Sequence, residues 1–251
     1  MQNRRVLLLD IETAPNLAYI WGMYEQNAID FKSQGYIMCF SAKWLGGEHI
    51  TKGLPDYQGY KKGSENDRKL IQELWNLLNE AEIVIAQNGD AFDIKKINTR
   101  FTSYGMSPPS PYRTLDTKKI AKRYFYFNSN SLDNMGEFLG LGRKIKHEGF
   151  ELWKRCIAGD LKAWNKMKAY NKQDVVLLEK IYLHFLPWIK NHPNLAAYVS
   201  GLTCPRCKGN LAKRGLQVNN STTYHRMYCR NCKGWSRGVV NLQKVKQYIS
   251  I

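Results

Sequence analysis

Val6-Leu7-Leu8-Leu9-Asp10-Ile11-Glu12-Thr13 sets two carboxylates directly behind four apolar residues near the start of this 251-residue chain. A continuous apolar run of that length suits a strand buried on both faces. In a strand, residues i and i+2 point to the same side, so Asp10 and Glu12 share one face where the strand reaches the surface. Two carboxylates so placed can share a cation. Acidic residues at strand ends are also common as solvated surface, so the pair gains meaning only beside further acidic sites in the chain.

Two such sites have matching context. The run Glu82-Ile83-Val84-Ile85-Ala86 reads as a second buried strand. It leads through Gln87-Asn88-Gly89-Asp90-Ala91-Phe92-Asp93 into a helix-like stretch, 94–104. Strand-to-helix turns are where open α/β sheets present ligand-binding groups, so Asp93 is expected to face the Asp10/Glu12 end of the sheet. As a helix N-cap, Asp93 or Asp90 would serve equally. Farther on, Leu161, Trp164, Met167, Val175, Leu178, Ile181 and Phe185 recur at helical spacing and predict one long amphipathic helix over 160–186. Tyr170 and Asp174 stand at i and i+4 on it, on one face. Four carboxylates from two strand ends and a helix form the oxygen-rich set that two hard cations, Mg2+ or Mn2+, require.

Taken in order, Asp10-x-Glu12, Asn88-x-x-x-Phe92-Asp93 and Tyr170-x-x-x-Asp174 resemble the three motifs of the DEDDy 3'-5' exonucleases, whose RNase H-like fold also forms the proofreading domain of family-B DNA polymerases. The resemblance covers about residues 5–190. It includes the linking segments Arg113-Thr114-Leu115-Asp116-Thr117 and Ser131-Leu132-Asp133-Asn134-Met135 through Gly140-Leu141-Gly142. It implies that Asp10 bridges two metal ions, that Glu12 and Asp174 complete one site and that Asp93 holds the other. Tyr170 then positions the attacking water, and Asn88 and Phe92 meet the nucleic acid.

A second constellation lies near the other end: Cys204-Pro205-Arg206-Cys207 and, 21 residues later, Cys229-Arg230-Asn231-Cys232. Paired CxxC knuckles read as a structural Zn2+ site of four thiolates, closed to catalysis. His225 is a poorer fourth ligand by spacing. Disulfides are disfavoured because the N-terminus lacks the apolar core of a signal peptide. Cys39 and Cys156 sit among apolar residues and read as buried bystanders.

Length allows one large core and a small appended module. The expected division is an exonuclease-like domain over 1–195 and a zinc ribbon over 201–251. The fold class is α/β: antiparallel strands at 36–44 and 50–54, a helix over 64–80 capped by Ser64 with Asp67 as its acidic partner, then strands alternating with helices. This describes a mixed sheet flanked by helices. Residues from 201 onward hold ten Lys and Arg and no Asp or Glu, so +10 of the formal +17 belongs to the ribbon, which suits a phosphate backbone. Candidate nucleic-acid contacts are Arg143, Lys144 and Lys146 in a basic, glycine-rich loop, and Arg206, Lys213, Arg214, Arg226 and Arg230 in the ribbon. The aromatics Tyr224, Tyr228 and Trp235 can stack on bases or fill the ribbon's own core.

These readings converge on a metal-dependent 3'-5' exonuclease acting on DNA in preference to RNA. It would carry two Mg2+ or Mn2+ ions and one Zn2+, with replication or repair proteins as candidate partners. Apolar runs far shorter than about 20 residues point to an intracellular chain, cytoplasmic or nucleoid-associated, that does not span a membrane. The competing readings are a catalytically degenerate nucleic-acid adaptor and an RNase H-like endonuclease or resolvase.

Overall fold

The computed structural model describes residues 5–24, 27–197 and 199–243. The chain divides into two compact units, one formed by Arg5–Ile181 and the other beginning at Tyr182.

In the first unit, β1 (Val6–Thr13) is the centre of a five-stranded sheet. Next along the chain, β2 (Leu17–Tyr19) and β3 (Asp30–Ser33) form a separate two-stranded hairpin. The main sheet resumes with β4 (Ile37–Trp44), antiparallel to β1, and β5 (His49–Gly53), antiparallel to β4. After helix α1 (Arg68–Glu80) the chain returns on the opposite side of β1 as β6 (Ile83–Ala86), parallel to it. Helix α2 (Asp93–Ser103) then leads to the parallel edge strand β7 (Arg113–Asp116). The order is β5-β4-β1-β6-β7, the mixed sheet flanked by helices that the sequence predicts. Val6, Leu7, Leu8 and Leu9 and all four residues of β6 are buried, which is why both strands read as unbroken apolar runs.

Helices α3 (Thr117–Tyr124), α4 (Leu132–Phe138), α5 (Phe150–Ile157) and α6 (Leu161–Phe185) complete the α/β part. Asp116 caps α3 by accepting from the amides of Lys118 and Lys119, and Ser131 caps α4 through the amide of Asn134. Asp160 starts α6 by accepting from the amides of Lys162 and Ala163. Gly136 of α4 lies so close to α6 that a Cβ there would stand 2.8 Å from the Leu177 side chain and 2.5 Å from the Gly142 carbonyl oxygen. Any larger residue would drive α4 and the glycine-rich loop off α6.

The helix expected to start at Ser64 starts instead at Arg68, four residues later. Asp67 is fully buried, and its carboxylate is used laterally rather than as a cap. It accepts from Ile37 N at 2.9 Å, from Arg100 Nε at 2.8 Å and Nη2 at 2.5 Å, and from the Tyr104 hydroxyl at 2.6 Å. One buried carboxylate thus ties α1 to β4 and α2. Replacing it takes the acceptor from four donor groups on three residues, so Asp67→Ala is expected to cost about 3–5 kcal/mol, read as a shift in the urea midpoint, whereas Ser64→Ala should change it by well under 1 kcal/mol.

The second unit contains a three-stranded ribbon, β8 (Leu211–Val218), β9 (Thr223–Cys229) and β10 (Trp235–Arg237), in the order β10-β9-β8. Its two CxxC turns repeat one backbone pattern. Cys204 N donates to Gly209 O and Lys208 N to Cys204 O, and Cys229 N donates to Gly234 O and Lys233 N to Cys229 O. Lys208 and Lys233, each next after its second cysteine, both take a positive φ of about 60°.

Candidate active site and cysteine cluster

The sheet register makes the site. β6 pairs with β1 only as far as Leu8↔Ile85 and ends at Ala86, so the far half of β1 has no neighbour on that side. The ladder amide of Ile11 donates instead to Asp93 Oδ1, at 3.1 Å. Asp93 is the first residue of α2, is buried, and caps nothing: the N-cap position is Phe92, with no side-chain hydrogen bond. Asp90 is turned away from the site and pairs with Lys119 at 2.6 Å. The intervening turn is held by Asn88, whose φ is +61° and whose amide donates to Asp116 Oδ1.

One oxygen each from Asp10, Glu12 and Asp174 lies within 4.8 Å of the others. Asp93 stands outside that group of three but close enough for its charge to act on Asp10. Around the carboxylates stand residues that the motif spacing does not mark. Asn171 is fully buried and donates to Asp10 Oδ2 at 2.6 Å. It sits one residue after Tyr170 and three before Asp174, a helical spacing that could have singled it out. His147 lies edge-on to Tyr170, with ring centroids 4.7 Å apart.

Lys144, expected to track a phosphate backbone, is drawn inward instead. Its Nζ lies 2.7 Å from Asp174 Oδ2 and 4.8 Å from the centroid of the Tyr170 ring. Arg143 is likewise engaged, by Asp133 at 2.9 Å and Glu137 at 2.7 Å, whereas Lys146 is exposed. Phe92 is partly exposed with Lys96 near its face.

Burial and mutual repulsion hold the carboxylates above their ordinary range. Asp10 is raised strongly, first by burial and then by the charges of Asp93, Asp174 and Glu12. Glu12 is pushed up to about 8 by burial and by Asp174, with Lys144 opposing. Asp93 rises to about 6 through burial, moderated by the Ile11 amide. Asp174 is raised by burial despite Lys144 and the Tyr170 hydroxyl. Burial, with Asp174 nearby, takes Tyr170 to about 12, so its phenol keeps its proton at neutral pH. A cluster that resists ionisation in this way is stabilised by positive charge, and the buried Asp174 Oδ1 has no hydrogen-bond partner. The donor set is all oxygen, which fits a hard divalent cation.

The four ribbon cysteines bring their sulfurs within 4.8 Å of one another, with Cys204 and Cys232 at 3.8 Å and Cys207 and Cys229 at 3.5 Å. These separations are far too long for disulfides and match a tetrahedron with metal–sulfur bonds of about 2.3 Å. Burial opposes ionisation of Cys207, but the Gly209 amide, the neighbouring cysteines and Asn231 bring its thiol down to about 7.

Arg206 corrects one expectation. Rather than offering itself to phosphate, it is buried and donates to the carbonyls of Ile189 (2.8 Å) and Trp235 (2.9 Å) and to Ser236 Oγ. As the third residue of a knuckle it faces inward, where carbonyls need a donor. Lys213, Arg214 and Arg230 are exposed. Arg226 is exposed too, with its Nε on Arg214 O and its guanidinium 5.0 Å from the Trp235 ring. Tyr228 and Trp235 pack on each other at 5.0 Å, with Tyr228 half-buried and Trp235 47% exposed, so the pair keeps an open aromatic surface.

The raised carboxylates carry a stability signature. A group whose pKa is raised by folding stabilises the fold below its ordinary value, about 4, and that contribution is lost as pH climbs through the folded value. In buffer free of Mg2+ and Mn2+, without a chelator that would take the ribbon's metal, the Tm should therefore fall as pH rises through about 6 and about 8, the values of Asp93 and Glu12, by roughly 2–4 °C per kcal/mol lost. Calorimetry with Mn2+ or Mg2+ should recover most of the loss at the alkaline end. The Glu12→Gln variant should flatten the upper part of the profile, and an unchanged profile would refute the assignment of the slope to this residue.

Comparisons with known proteins add to this geometry. A search of curated proteins finds no match. Among solved structures, the family B DNA polymerase from the hyperthermophilic archaeon Pyrobaculum calidifontis is similar in fold, with a TM-score of 0.57 at 16% sequence identity. The alignment covers 74% of this chain and 25% of the polymerase, so the chain corresponds to about a quarter of that protein. A family model described as RNase_H superfamily matches residues 25–186, a stretch that takes in Asp93, Tyr170 and Asp174 and begins after Asp10 and Glu12. The match covers well over half of the sequence, and the chain belongs to the RNase_H superfamily.

Proposed function

We propose that this chain is a divalent-cation-dependent 3'-5' exonuclease that releases nucleoside 5'-monophosphates from nucleic acid, with DNA preferred to RNA. The observation that carries this reading is the convergence of Asp10, Glu12 and Asp174 around a buried carboxylate oxygen that lacks a partner, with Tyr170 beside it. Asp10, Glu12, Asp93 and Asp174 are the residues that would hold two cations. Bound there, Mg2+ or Mn2+ supplies an acidified water and neutralises charge on the phosphate. The chain's own contributions are positional. Asn171 fixes the rotamer of Asp10 through a 2.6 Å hydrogen bond, and the Tyr170 phenol keeps a donor beside Asp174. Fold similarity to a DNA polymerase supports the preference for DNA.

Linear and covalently closed circular substrates test the polarity and the mode of attack. An exonuclease shortens a 5'-labelled linear strand progressively and leaves the circle intact, whereas cutting of the circle would make the chain an endonuclease. Asp10→Ala and Asp174→Ala are expected to lower kcat by about 10³-fold or more while nucleic-acid binding persists. Tyr170→Phe should cost less, about 10²-fold. Near-normal turnover of either carboxylate variant with Mg2+ would sink the assignment.

The four-thiolate cluster is proposed to hold Zn2+, and the module around it to grip the phosphate backbone through Lys213, Arg214 and Arg230. A fold with so small a core draws its stability from the metal, on the order of 10 kcal/mol. Cys204→Ser combined with Cys207→Ser should release the zinc, weaken substrate binding and flatten the dependence of affinity on salt, with little effect on kcat. An unchanged salt slope in the zinc-free variant would assign the ribbon to protein docking instead.

A further inference from the structure

The two faces of the cysteine ribbon differ in kind. Alternation along β9 sends Met227 and Cys229 to one side, where both are buried, and puts Tyr224, Arg226 and Tyr228 on the other. Opposite residues of an antiparallel pair share a face, and the register sets Trp235 against Tyr228 and Arg237 against Arg226. These residues of β9 and β10 therefore make one outer face.

That face repeats one pairing, a guanidinium against a ring on the neighbouring strand. Arg237 lies 4.2 Å from the centroid of the Tyr224 ring, and Arg226 lies 5.0 Å from that of Trp235. Trp235 in turn meets Tyr228, with centroids 5.0 Å apart. Rings and cations thus alternate across the two strands.

Two features give the face an anionic partner beyond its own packing. Arg226 and Arg237 stand directly opposite one another, and like charges so placed destabilise a sheet. An acidic neighbour within the ribbon could offset them, but the sequence has no Asp or Glu from 201 onward. Arg226 is also aimed. β8 bulges between Lys213 and Leu216, with Gly215 at φ +82°, and the bulge delivers the Arg214 carbonyl to Arg226 Nε at 3.0 Å. Held at Nε and against a ring, Arg226 is still exposed, as are Trp235 and Arg237. Open rings interleaved with planar donors suit an unpaired strand, with faces for bases and guanidiniums for phosphates.

We propose that the outer face of β9 and β10 is a docking site for unpaired nucleic acid, with a base stacked on the Trp235–Tyr228 pair and Arg226 and Arg237 on the adjoining phosphates. This rests on the ribbon's proposed role in holding nucleic acid and adds strand-state selectivity to it, on residues other than Lys213, Arg214 and Arg230. A duplex offers this face phosphates alone, because its base faces are covered. The site belongs to the ribbon and needs no cleavage.

The experiment is binding of a fluorescein-labelled oligothymidylate dodecamer to the full chain across a salt series, in buffer free of Mg2+, Mn2+ and chelator, with the metal content of each variant measured alongside. Trp235→Ala should weaken binding roughly 5- to 150-fold and leave the slope of log affinity against log salt unchanged, since it removes a stacking ring and no charge. Arg226→Gln with Arg237→Gln should make the slope shallower by about 1.4, about 0.7 for each phosphate contact. An abasic strand of the same length and a blunt duplex dodecamer should both be insensitive to Trp235→Ala. Should that variant lose the ribbon's metal, Arg226→Lys with Arg237→Lys decides instead: charge is kept, planar stacking is lost, and affinity should fall roughly 5-fold or more at constant slope. Unchanged oligothymidylate affinity in whichever of these variants keeps its metal overturns the proposal. If affinity then falls only on joint replacement of Lys213, Arg214 and Arg230 by Gln, the ribbon holds the backbone without reading bases and its wider role survives. If it falls with neither set, that role goes too.

Discussion

The hydrogen bond from Ile11 N to Asp93 Oδ1 is the constraint on which the site depends. A parallel strand next to β1 would ordinarily take the amides along its whole edge, but β6 is only four residues long and ends opposite the middle of β1. An unpaired amide so deep in the fold would cost a desolvation penalty of about 1–3 kcal/mol. Meeting that need with a carboxylate instead of a backbone carbonyl draws the first turn of α2 against β1. The geometry of strand pairing and the assembly of the acidic cluster are therefore one feature. Lengthening β6 by two residues would satisfy the same amide and expel Asp93.

The cluster so assembled is costly. Several carboxylates share a buried region with Lys144 as the ammonium in contact with them, and burial alone raises each of the four. A fold can tolerate this arrangement by protonation or by recruiting positive charge. Lys144 brings one such charge to Asp174, which accounts for a loop lysine that sequence reasoning assigns to solvent or phosphate being turned inward. Its loop is glycine-rich, with Gly140 and Gly142 at positive φ, so the backbone can bring the ammonium in without strain. Function here is at odds with stability, as sites built for charge commonly are.

Much of the fold was legible because period and burial coincide. Val6–Leu9 and Ile83–Ala86 read as buried strands because both their faces are covered, and α6 reads as a helix because its apolar positions recur at 3.6. The carboxylates were legible as motif spacing, and the structure brings Asp10, Glu12 and Asp174 together. The misreadings share another cause. Asp67, Lys144 and Arg206 are polar residues whose partners lie far along the chain, at Arg100, Asp174 and Trp235. Local pattern assigns such residues to caps or solvent, since the sequence nearby contains no sign of the distant partner. Asn171 escaped notice because its one local signal, the helical offset of three from Asp174, says nothing of its partner Asp10 far along the chain. The hairpin of β2 and β3 was illegible for the opposite reason: its aromatics are outside, so no burial period distinguishes them.

Charge is partitioned along the chain in a way that suits this chemistry. The ribbon segment holds ten basic and no acidic residues, while the segment before it carries all the acids, including the cluster. Were the cluster alone to meet a polyanion, its carboxylates would repel the phosphates. On the proposed function, cations held by the cluster would reverse the local sign only at the reacting phosphate, so attraction for the rest of the strand would have to come from elsewhere. Under the proposed function, the ten basic residues of the ribbon segment would supply it. The contact of Lys144 with Asp174 marks the place among the described residues where ammonium and cation would contend for the same oxygen.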